Sequence, residues 1–473
     1  MLFHTPQYFL FLAIVLVLYF SLNHRGQNLM LLGASVFFYA CWDYRFVSLL
    51  VASCVLDFWA GRYIYRARLA GDRAAMKRGL LASLTGNLGM LGFFKYFGFF
   101  VSSADSALRA LGFAPSLPVL NIILPVGISF YTFQTLSYAI DIYRGQLDPV
   151  DRFLDFALFV AFFPHMVAGP IMRAVDLLPQ MTRPRIVTQA NLERGLLMLG
   201  MGLFRKVAIA DPAGMLADTY FADPSTFSTI PLACGLVLYG LQIYNDFAGY
   251  SDMARGAAWL LGFDLMRNFR QPYFAKNIAD FWKRWHISLS TWLRDYLYIP
   301  LGGNRKGPAR TTINLMLTML LGGLWHGASW NFVIWGGLHG TYLAVHHTWR
   351  RWRDARQIEW TPAPLVTRVL STAVVYALVT FTWLFFRAHD TGTTIAYLSG
   401  LLALSPGGEG ALLPVFVLWG LTLAIDVPQA VTEDELFLLR WGFMPRAAVV
   451  ATACLVILFS GQMRHEPFIY FQF

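Results

Sequence analysis

The chain has 473 residues, of which 57% are hydrophobic and only 14% are charged, and its mean hydropathy is +0.51. A soluble protein carries about a quarter charged residues, so this composition excludes a disordered chain, a disulfide-stapled scaffold and an ordinary soluble enzyme. The chain has 37 Lys and Arg against 27 Asp and Glu. We attribute this excess to basic residues held on the cytoplasmic side of the membrane and not to binding of nucleic acid. The composition predicts an all-α polytopic membrane protein in contact with the lipid bilayer.

Apolar segments of spanning length recur along the whole chain. Several are shorter than the roughly 20 residues that a straight crossing needs, and prolines break others, as at Pro125 and Pro164. Broken helices are tolerated at membrane depth only where protein or a wet cavity covers their backbone. We therefore predict about 10–12 transmembrane helices together with re-entrant and interfacial helices. The apolar runs are 8–22, 28–42, 46–60, 79–101, 119–140, 153–172, 229–247, 311–325, 330–347, 364–386, 411–428 and 445–461.

Clusters of basic residues mark the predicted cytoplasmic side. The segment 62–78 carries six basic residues against one acid, and a second basic cluster spans residues 350–356. The four cysteines stand far apart in apolar stretches, which predicts packing residues, no metal site and no bound cofactor. We interpret residues 1–473 as a single membrane domain, with 240–340 as its catalytic core and 462–473 as a C-terminal aromatic tail.

The first candidate for chemistry is His326, which ends a long apolar run and is flanked by glycines and tryptophans. Ionisable side chains are costly at membrane depth and normally face a cavity or a partner. Imidazole is also the side chain best suited to proton transfer near neutral pH. The residues alone leave two interpretations open: a catalytic base, or a hydrogen-bonded packing histidine.

The second candidate is His286, in a segment that Lys283, Arg284 and Arg294 interrupt. This pattern predicts an amphipathic helix or turn near the cytoplasmic interface, with its tryptophans at the level of the lipid headgroups. The alternative is that the cations and the imidazole line a funnel for an anionic, phosphate-bearing donor.

Other polar residues are less specific. Asp246 and Asp252 follow an apolar run, and buried acids need partners. We expect salt bridges to arginines of the region 267–310, while a role in the wall of a substrate tunnel stays open. His165 follows Pro164 at a broken helix and is interpreted as structural.

Three motifs together resemble the membrane-bound O-acyltransferase family. They are Trp285–Tyr296 (WHISLSTWLRDY), Leu301–Arg305 (LGGNR) and Gly322–Gly327 (GGLWHG). The similarity is closest to the bacterial branch that O-acetylates surface polysaccharides, such as alginate. This resemblance implies a ring of transmembrane helices around a thin central tunnel in the bacterial inner membrane.

The resemblance also implies roles for residues. His326 would be the catalytic histidine and general base, and His286 the second family histidine on the cytoplasmic side of the tunnel. The donor would be an acyl thioester, either acetyl-CoA or an acyl carrier protein. Four residues would bind the donor: Lys283, Arg284, Trp285 and Arg294. Three others would line the tunnel or serve a structural role: Asn245, Asp246 and Asn331.

The same resemblance implies partners outside the membrane. A periplasmic acetyltransferase of the SGNH-hydrolase type would receive the acetyl group, in contact with an exopolysaccharide synthesis and export complex. The tail 466–473 is either an aromatic membrane anchor or, by resemblance to partner peptides of the D-alanylation branch, a carrier with Tyr470 as acyl relay. Alternatives are D-alanyl transfer to teichoic acid, a transporter or flippase, and a secretion scaffold.

Overall fold

The computed structural model describes residues 1–114, 117, 120, 122–166, 169–357, 364–460 and 468–469. Every regular element in these residues is helical, which confirms the predicted all-α class. The residues pack into two compact units. The first comprises Met1–Leu196 and Ala254–Met266, and the second comprises Leu197–Met253 and Arg267–Phe473.

Among its described residues, the first unit contains nine complete α-helices. Two of them begin at side chains that cap the free backbone N–H groups of a helix start: Asn23 accepts a hydrogen bond from Gly26, and Asp72 accepts one from Ala75. The helices are α1 (Pro6–Phe20), α2 (His24–Asp43), α3 (Val47–Leu69), α4 (Arg73–Leu91), α5 (Phe97–Ala110), α6 (Ile128–Tyr143), α7 (Phe153–Ala161), α8 (Phe163–Met166) and α9 (Ala174–Thr182).

The second unit contains the candidate catalytic core 240–340 except for residues 254–266, which belong to the first unit. The chain enters it within α10 (Gln189–Phe204), leaves it within α12 (Thr229–Leu260) and returns at Arg267. The remaining helices are α11 (Asp211–Ala222), α13 (Ile278–Trp282), α14 (Ile287–Leu293), α15 (Gly307–His326), α16 (Trp330–Ala355), α17 (Leu365–Arg387), α18 (Thr391–Leu402), α19 (Leu412–Thr432) and α20 (Phe443–Ser460).

Helices α15 and α16 pack through glycines. A Cβ atom at Gly323 would lie 2.2 Å from the carbonyl oxygen of Phe332, and one at Gly336 would lie 2.3 Å from that of Met319. Small residues let two helix backbones approach closely, which adds van der Waals contact where the hydrophobic effect contributes little. This crossing fixes the C-terminal end of α15, where His326 lies.

The predicted apolar runs match helices, with a few differences. Run 79–101 covers the end of α4, the π-helical segment Gly92–Tyr96 and the start of α5. In run 119–140, helix α6 begins at Ile128, directly after Gly127, which has the left-handed φ of 77°. Run 153–172 is divided at Phe162, two residues before Pro164. Run 229–247 continues as one helix to Leu260.

The polar stretch 173–195 contains α9 and the start of α10. By length and hydropathy, four segments of the described chain qualify as membrane spans, and the protein is therefore a polytopic membrane protein. The predicted total of crossings and the central tunnel stay predictions. The four segments are His24–Leu69, Leu365–Arg387, Glu409–Thr432 and Phe443–Ser460.

Candidate functional site

His326 is the last residue of α15, and its imidazole is enclosed by aromatic rings. The ring centre lies 5.1 Å from those of Trp325 and Trp335 and 5.2 Å from that of Phe386. Only 4% of the residue is exposed. Helices α15, α16 and α17 therefore each contribute an aromatic wall to one site around this histidine.

His286 lies between α13 and α14 in a strained conformation. Its φ of 41° and ψ of 56° are left-handed values that a histidine rarely adopts. Asn268 holds the residues that follow: Ile287 N–H donates to its carbonyl oxygen at 2.9 Å, and Ser288 Oγ–H donates to its Oδ1 at 2.7 Å. Backbone strain persists where surrounding contacts enforce it, and such residues concentrate at functional sites.

The two predicted catalytic histidines lie together in the second unit. Their ring centres are 6.4 Å apart, and the indole of Trp325 lies 5.9 Å from the ring of His286. Ser288 Oγ lies 3.4 Å from Nδ1 of His286. Burial lowers the pKa of His286 to about 3, because imidazolium loses its hydration there. This imidazole is neutral at physiological pH.

A third buried histidine, His339 on α16, extends the site and was missed in the sequence. Its Nε2 lies 3.0 Å from Thr382 Oγ1, and its ring centre is 4.7 Å from that of Trp335. The spacing of four residues from Trp335 places both on one helix face, and this was the available signal. The buried Nε1–H of Trp335 has no acceptor among the described residues.

The four predicted donor-binding residues fall into different environments. Trp285 is buried, 4.9 Å from the ring of Trp383 and stacked on Phe281 at 5.5 Å. Trp292 is buried as well, whereas Trp282 is half-buried. Protein therefore encloses two of the three indoles, and the expected level of the tryptophans relative to the lipid headgroups stays a prediction.

The cations of the segment lie nearer to solvent. Lys283 is exposed. Arg284 pairs with Asp280 at 2.9 Å, and Arg294 pairs with the neighbouring Asp295 at 2.6 Å. The Arg294 side chain is 59% exposed.

Two buried ion-pair groups surround α12. Lys206 Nζ lies 2.8 Å from Asp246 and 2.7 Å from Asp211. Arg205 lies 2.6 Å from Asp426 and 3.7 Å from Asp252. Such groups satisfy charges that could not be buried singly.

The predicted pairing with arginines of 267–310 is therefore wrong for Asp246, and the ion pair described for Asp252 is with Arg205. The cations come from the π-helical turn Arg205–Ala210, which a glycine contact brings against α12. A Cβ atom at Gly202 would lie only 2.4 Å from the carbonyl oxygen of Gly249. The available signal was the adjacent Arg205 and Lys206 inside an apolar stretch.

The two predicted asparagines connect helices. Asn245 donates to Thr422 Oγ1 at 3.1 Å and accepts from Arg205 Nη1 at 2.9 Å. Asn331 donates to the carbonyl oxygen of Ala388 at 2.8 Å. Both amides are buried and thereby fix helices around the histidines.

Two described residues of the C-terminal tail lie inside the second unit. Phe468 and Ile469 are fully buried, and Ile469 N–H donates to Asp246 Oδ2 at 2.8 Å. The Phe468 ring lies 5.8 Å from that of Phe247, which in turn lies 4.6 Å from the ring of His286. The membrane-anchor interpretation does not hold for these two residues, because protein encloses them. Tyr470 lies outside the described residues.

Sequence comparison assigns this arrangement to a known class of protein. The model of the membrane-bound O-acyltransferase family (MBOAT) matches residues 150–386, which include His286 and His326. The chain belongs to the membrane-bound O-acyltransferase family. It is therefore an O-acyltransferase and a multi-pass membrane protein.

Three relatives narrow the comparison. The chain is 38% identical over 492 residues to the probable alginate O-acetylase AlgI of Pseudomonas putida, with 98% of each chain covered. It is 44% identical over 384 residues to the protein of the same name from Azotobacter vinelandii, covering 81% of this chain and 74% of that one. It is 36% identical over 437 residues to the peptidoglycan O-acetyltransferase of Helicobacter pylori, covering 86% and 80%. All three names describe O-acetyl transfer.

Proposed function

We propose that this protein transfers an acetyl group from a cytoplasmic acyl thioester across the inner membrane for O-acetylation of an exported polysaccharide. The donor is acetyl-CoA or an acyl carrier protein. The observation that carries the proposal is the pair of buried imidazoles, His286 and His326, within one aromatic site. The names of the relatives support the acetyl group and a polysaccharide acceptor.

In the proposed reaction, neutral His326 acts as the general base. It takes the proton of an acceptor hydroxyl while the hydroxyl oxygen attacks the thioester carbonyl carbon. The tetrahedral intermediate collapses with cleavage of the C–S bond, and the imidazolium returns the proton to the departing thiolate. The products are an O-acetyl ester and a free thiol, and the imidazole is again neutral.

The developing oxyanion requires a hydrogen-bond donor that is already in place. The indole N–H of Trp335 supports this role, because its ring lies 5.1 Å from His326 and its N–H is buried without an acceptor among the described residues. His286 would contact the opposite side of the reacting group. The enclosing aromatic rings would keep water from the thioester.

The donor is proposed to approach along the segment that contains Lys283, Arg284 and Arg294. Its phosphates would attract these cations, and Arg284 offers a planar fork for bidentate contacts. Trp285 would act differently, since its burial between Phe281 and Trp383 makes it a wall of the passage and not a headgroup contact.

We further propose that the acceptor hydroxyl belongs to Tyr470. Ile469, which precedes it in the sequence, is bound to Asp246, and Phe468 contacts an aromatic ring that itself contacts His286. These contacts support a tail that enters the site. The acetyl-tyrosine would then transfer its group to a periplasmic acetyltransferase of the SGNH-hydrolase type, in contact with the exopolysaccharide synthesis and export complex.

The test is the acetyl content of exported polysaccharide in cells with wild type, His326→Ala or Tyr470→Phe, with membrane levels of each protein measured in parallel. Loss of acetylation in both variants at wild-type levels supports the base and the relay. Loss in His326→Ala alone means that Tyr470 is not the acceptor. Full acetylation with His326→Ala refutes the proposed mechanism. Mass spectrometry of the released acyl group separates acetyl from D-alanyl transfer.

A further inference from the structure

The second unit contains a pocket that shares Arg284 with the proposed donor segment but has no other residue of the proposed reaction site in its lining. Its volume is about 660 Å³, within the range of small-ligand sites. One wall is the segment 267–284, and the others come from the start of α17 and the end of α19. Helix α17 begins at Leu365, shortly after the basic cluster 350–356 that the sequence predicts to be cytoplasmic.

The charge of this pocket is strongly unbalanced. Its lining includes one acid, Glu433, and five cations: Arg267, Arg270, Lys276, Arg284 and Arg368. Two of the cations are compensated, since Arg284 pairs with Asp280 and Arg267 pairs with Glu435. The side chains of the other three form no ion pair within the described part of the chain. We call Arg270, Lys276 and Arg368 the open cations.

The wall that carries two of the open cations is held rigidly. Arg270 N–H donates to the carbonyl oxygen of Arg284 at 2.9 Å, and Arg284 Nη1 donates back to that of Arg270 at 3.2 Å. Gln271, the next residue, has a left-handed φ of 42° and donates to Gln429 Oε1 of α19 at 2.8 Å. These contacts fix the backbone that carries Arg270, whereas the side chains of Arg270 and Lys276 are exposed and become ordered when an anion binds.

The remaining lining is aromatic and apolar. Tyr273, Tyr376 and Trp419 pack together with ring centres 5.1–5.9 Å apart. At the mouth, Leu365 is 71% exposed and Val369 is 58% exposed. A ligand for this pocket would therefore combine a phosphate with an apolar or aromatic part.

We propose that the pocket binds the phosphate group of such an anionic amphiphile through the open cations. Two sources carry this chemistry. One source is the nucleotide end of a coenzyme A thioester, and this alternative rests on the proposed function. The ring of Tyr273 in the pocket lies 6.3 Å from the ring of Trp285, which precedes His286 in the sequence. The other is the phosphate of an anionic phospholipid in the surrounding leaflet, which does not depend on the reaction.

The experiment measures binding without turnover. Purified full-length protein is tested for affinity to radiolabelled coenzyme A lacking an acyl group, and native mass spectrometry records the phosphatidylglycerol that co-purifies from the membrane. The pocket variant is Arg270→Gln, Lys276→Gln and Arg368→Gln combined. The matched control is Arg350→Gln, Arg353→Gln and Arg356→Gln, which removes three charges from the basic cluster 350–356.

A basic side chain near an anionic phosphate contributes about fivefold in affinity, so the pocket variant should bind about a hundredfold more weakly. The control should stay within about twofold of wild type, since those charges are screened by salt. A loss specific to coenzyme A assigns the pocket to the donor, and a loss specific to phosphatidylglycerol assigns it to lipid. Wild-type binding of both probes by the pocket variant overturns the proposal.

Folding and function are controlled separately. Arg368→Gln alone, at an exposed position, should lower affinity about fivefold and replaces the triple variant if that protein fails to fold. His326→Ala should bind both probes as wild type does. The binding assay therefore tests the pocket independently of acyl transfer in cells, and a negative binding result does not refute the proposed reaction.

Discussion

The two compact units each bury histidines, but they surround them differently. In the first unit, His165 is fully buried with both ring nitrogens engaged: Nδ1 lies 2.7 Å from Gln134 Nε2, and Nε2 lies 3.0 Å from the carbonyl oxygen of Phe159. In the second unit, His326 is surrounded by the rings of Trp325, Trp335 and Phe386. Burial alone is therefore not a sign of function. The structural interpretation of His165 stays a prediction, which these two contacts support.

Buried carboxylates show a parallel contrast. In the first unit, Asp57 accepts hydrogen bonds from two neutral side chains, Ser83 and Asn87, which come from the adjacent helix α4. In the second unit, Asp246 is paired with a lysine and also accepts the backbone N–H of Ile469 in the tail. The first arrangement serves local packing, whereas the second connects distant parts of the chain. The predictions below test this contrast.

The largest effect is expected at the histidines. His326→Gln should lower acetyl transfer per folded molecule by about 10²–10⁴, the contribution of a general base. His165→Gln should leave transfer per folded molecule near wild type but destabilise the protein by about 1–3 kcal/mol, since buried partners lose their hydrogen bonds. Both are checked with radiolabelled thioester and by thermal unfolding. Equal loss of transfer in the two variants would remove the distinction between the units.

The next effect concerns the buried carboxylates. Asp246→Asn should destabilise the protein by about 3–5 kcal/mol, because it breaks a buried ion pair. The amide oxygen can still accept the Ile469 N–H, so the change isolates the charge. Asp57→Asn should cost less than about 1.5 kcal/mol, because its partners are neutral. Chemical denaturation in detergent measures both, and a larger effect at Asp57 would contradict the contrast.

A smaller effect is expected at the crossing of α15 and α16. Gly323→Ala places a Cβ atom 2.2 Å from a backbone carbonyl, so the helices must move apart, at about 1–3 kcal/mol. Because His326 would shift with α15, both the rate of acetyl transfer and the stability of the protein should decrease. Gly337→Ala is the matched control, since its Cβ would meet only Leu320 Cδ2 at 3.7 Å. If the two variants unfold at the same temperature, the crossing is not close-packed.

The smallest effect is expected at Ser288. Ser288→Ala removes a hydroxyl that donates to Asn268 at 2.7 Å and lies 3.4 Å from His286 Nδ1. If loss of this hydrogen bond raises the activation free energy of transfer by about 1 kcal/mol, transfer should be roughly fivefold slower. Ser290→Ala is the control, because Ser290 lies in the same helix as Ser288 and its hydroxyl donates instead to the Trp285 carbonyl oxygen. A larger fall in rate for Ser290→Ala would show that Ser288 does not position His286.

Local patterns in the sequence were sufficient for the fold class and marked the two central histidines as candidates, whereas the roles of these histidines came from the family resemblance. Low charge and repeated apolar runs of spanning length predict transmembrane helices. The bilayer core offers no hydrogen-bond partners to the backbone, and a helix pairs its own N–H and C=O groups within one such run. The motif around His326 stands out since an ionisable residue closes an apolar run beside glycines. The packing of those glycines at the α15–α16 crossing is consistent with that pattern.

Contacts between distant residues were decided only by the tertiary structure. Asp246 pairs with Lys206, forty residues earlier, and with Ile469, 223 residues later. The basic pocket likewise joins three segments between Arg267 and Glu433 that share no sequence pattern. Any of several cations could have paired with these acids, because charge and hydropathy specify what a buried group needs but not which partner supplies it. That choice depends on which backbones approach closely, as at Gly202 and Gly249.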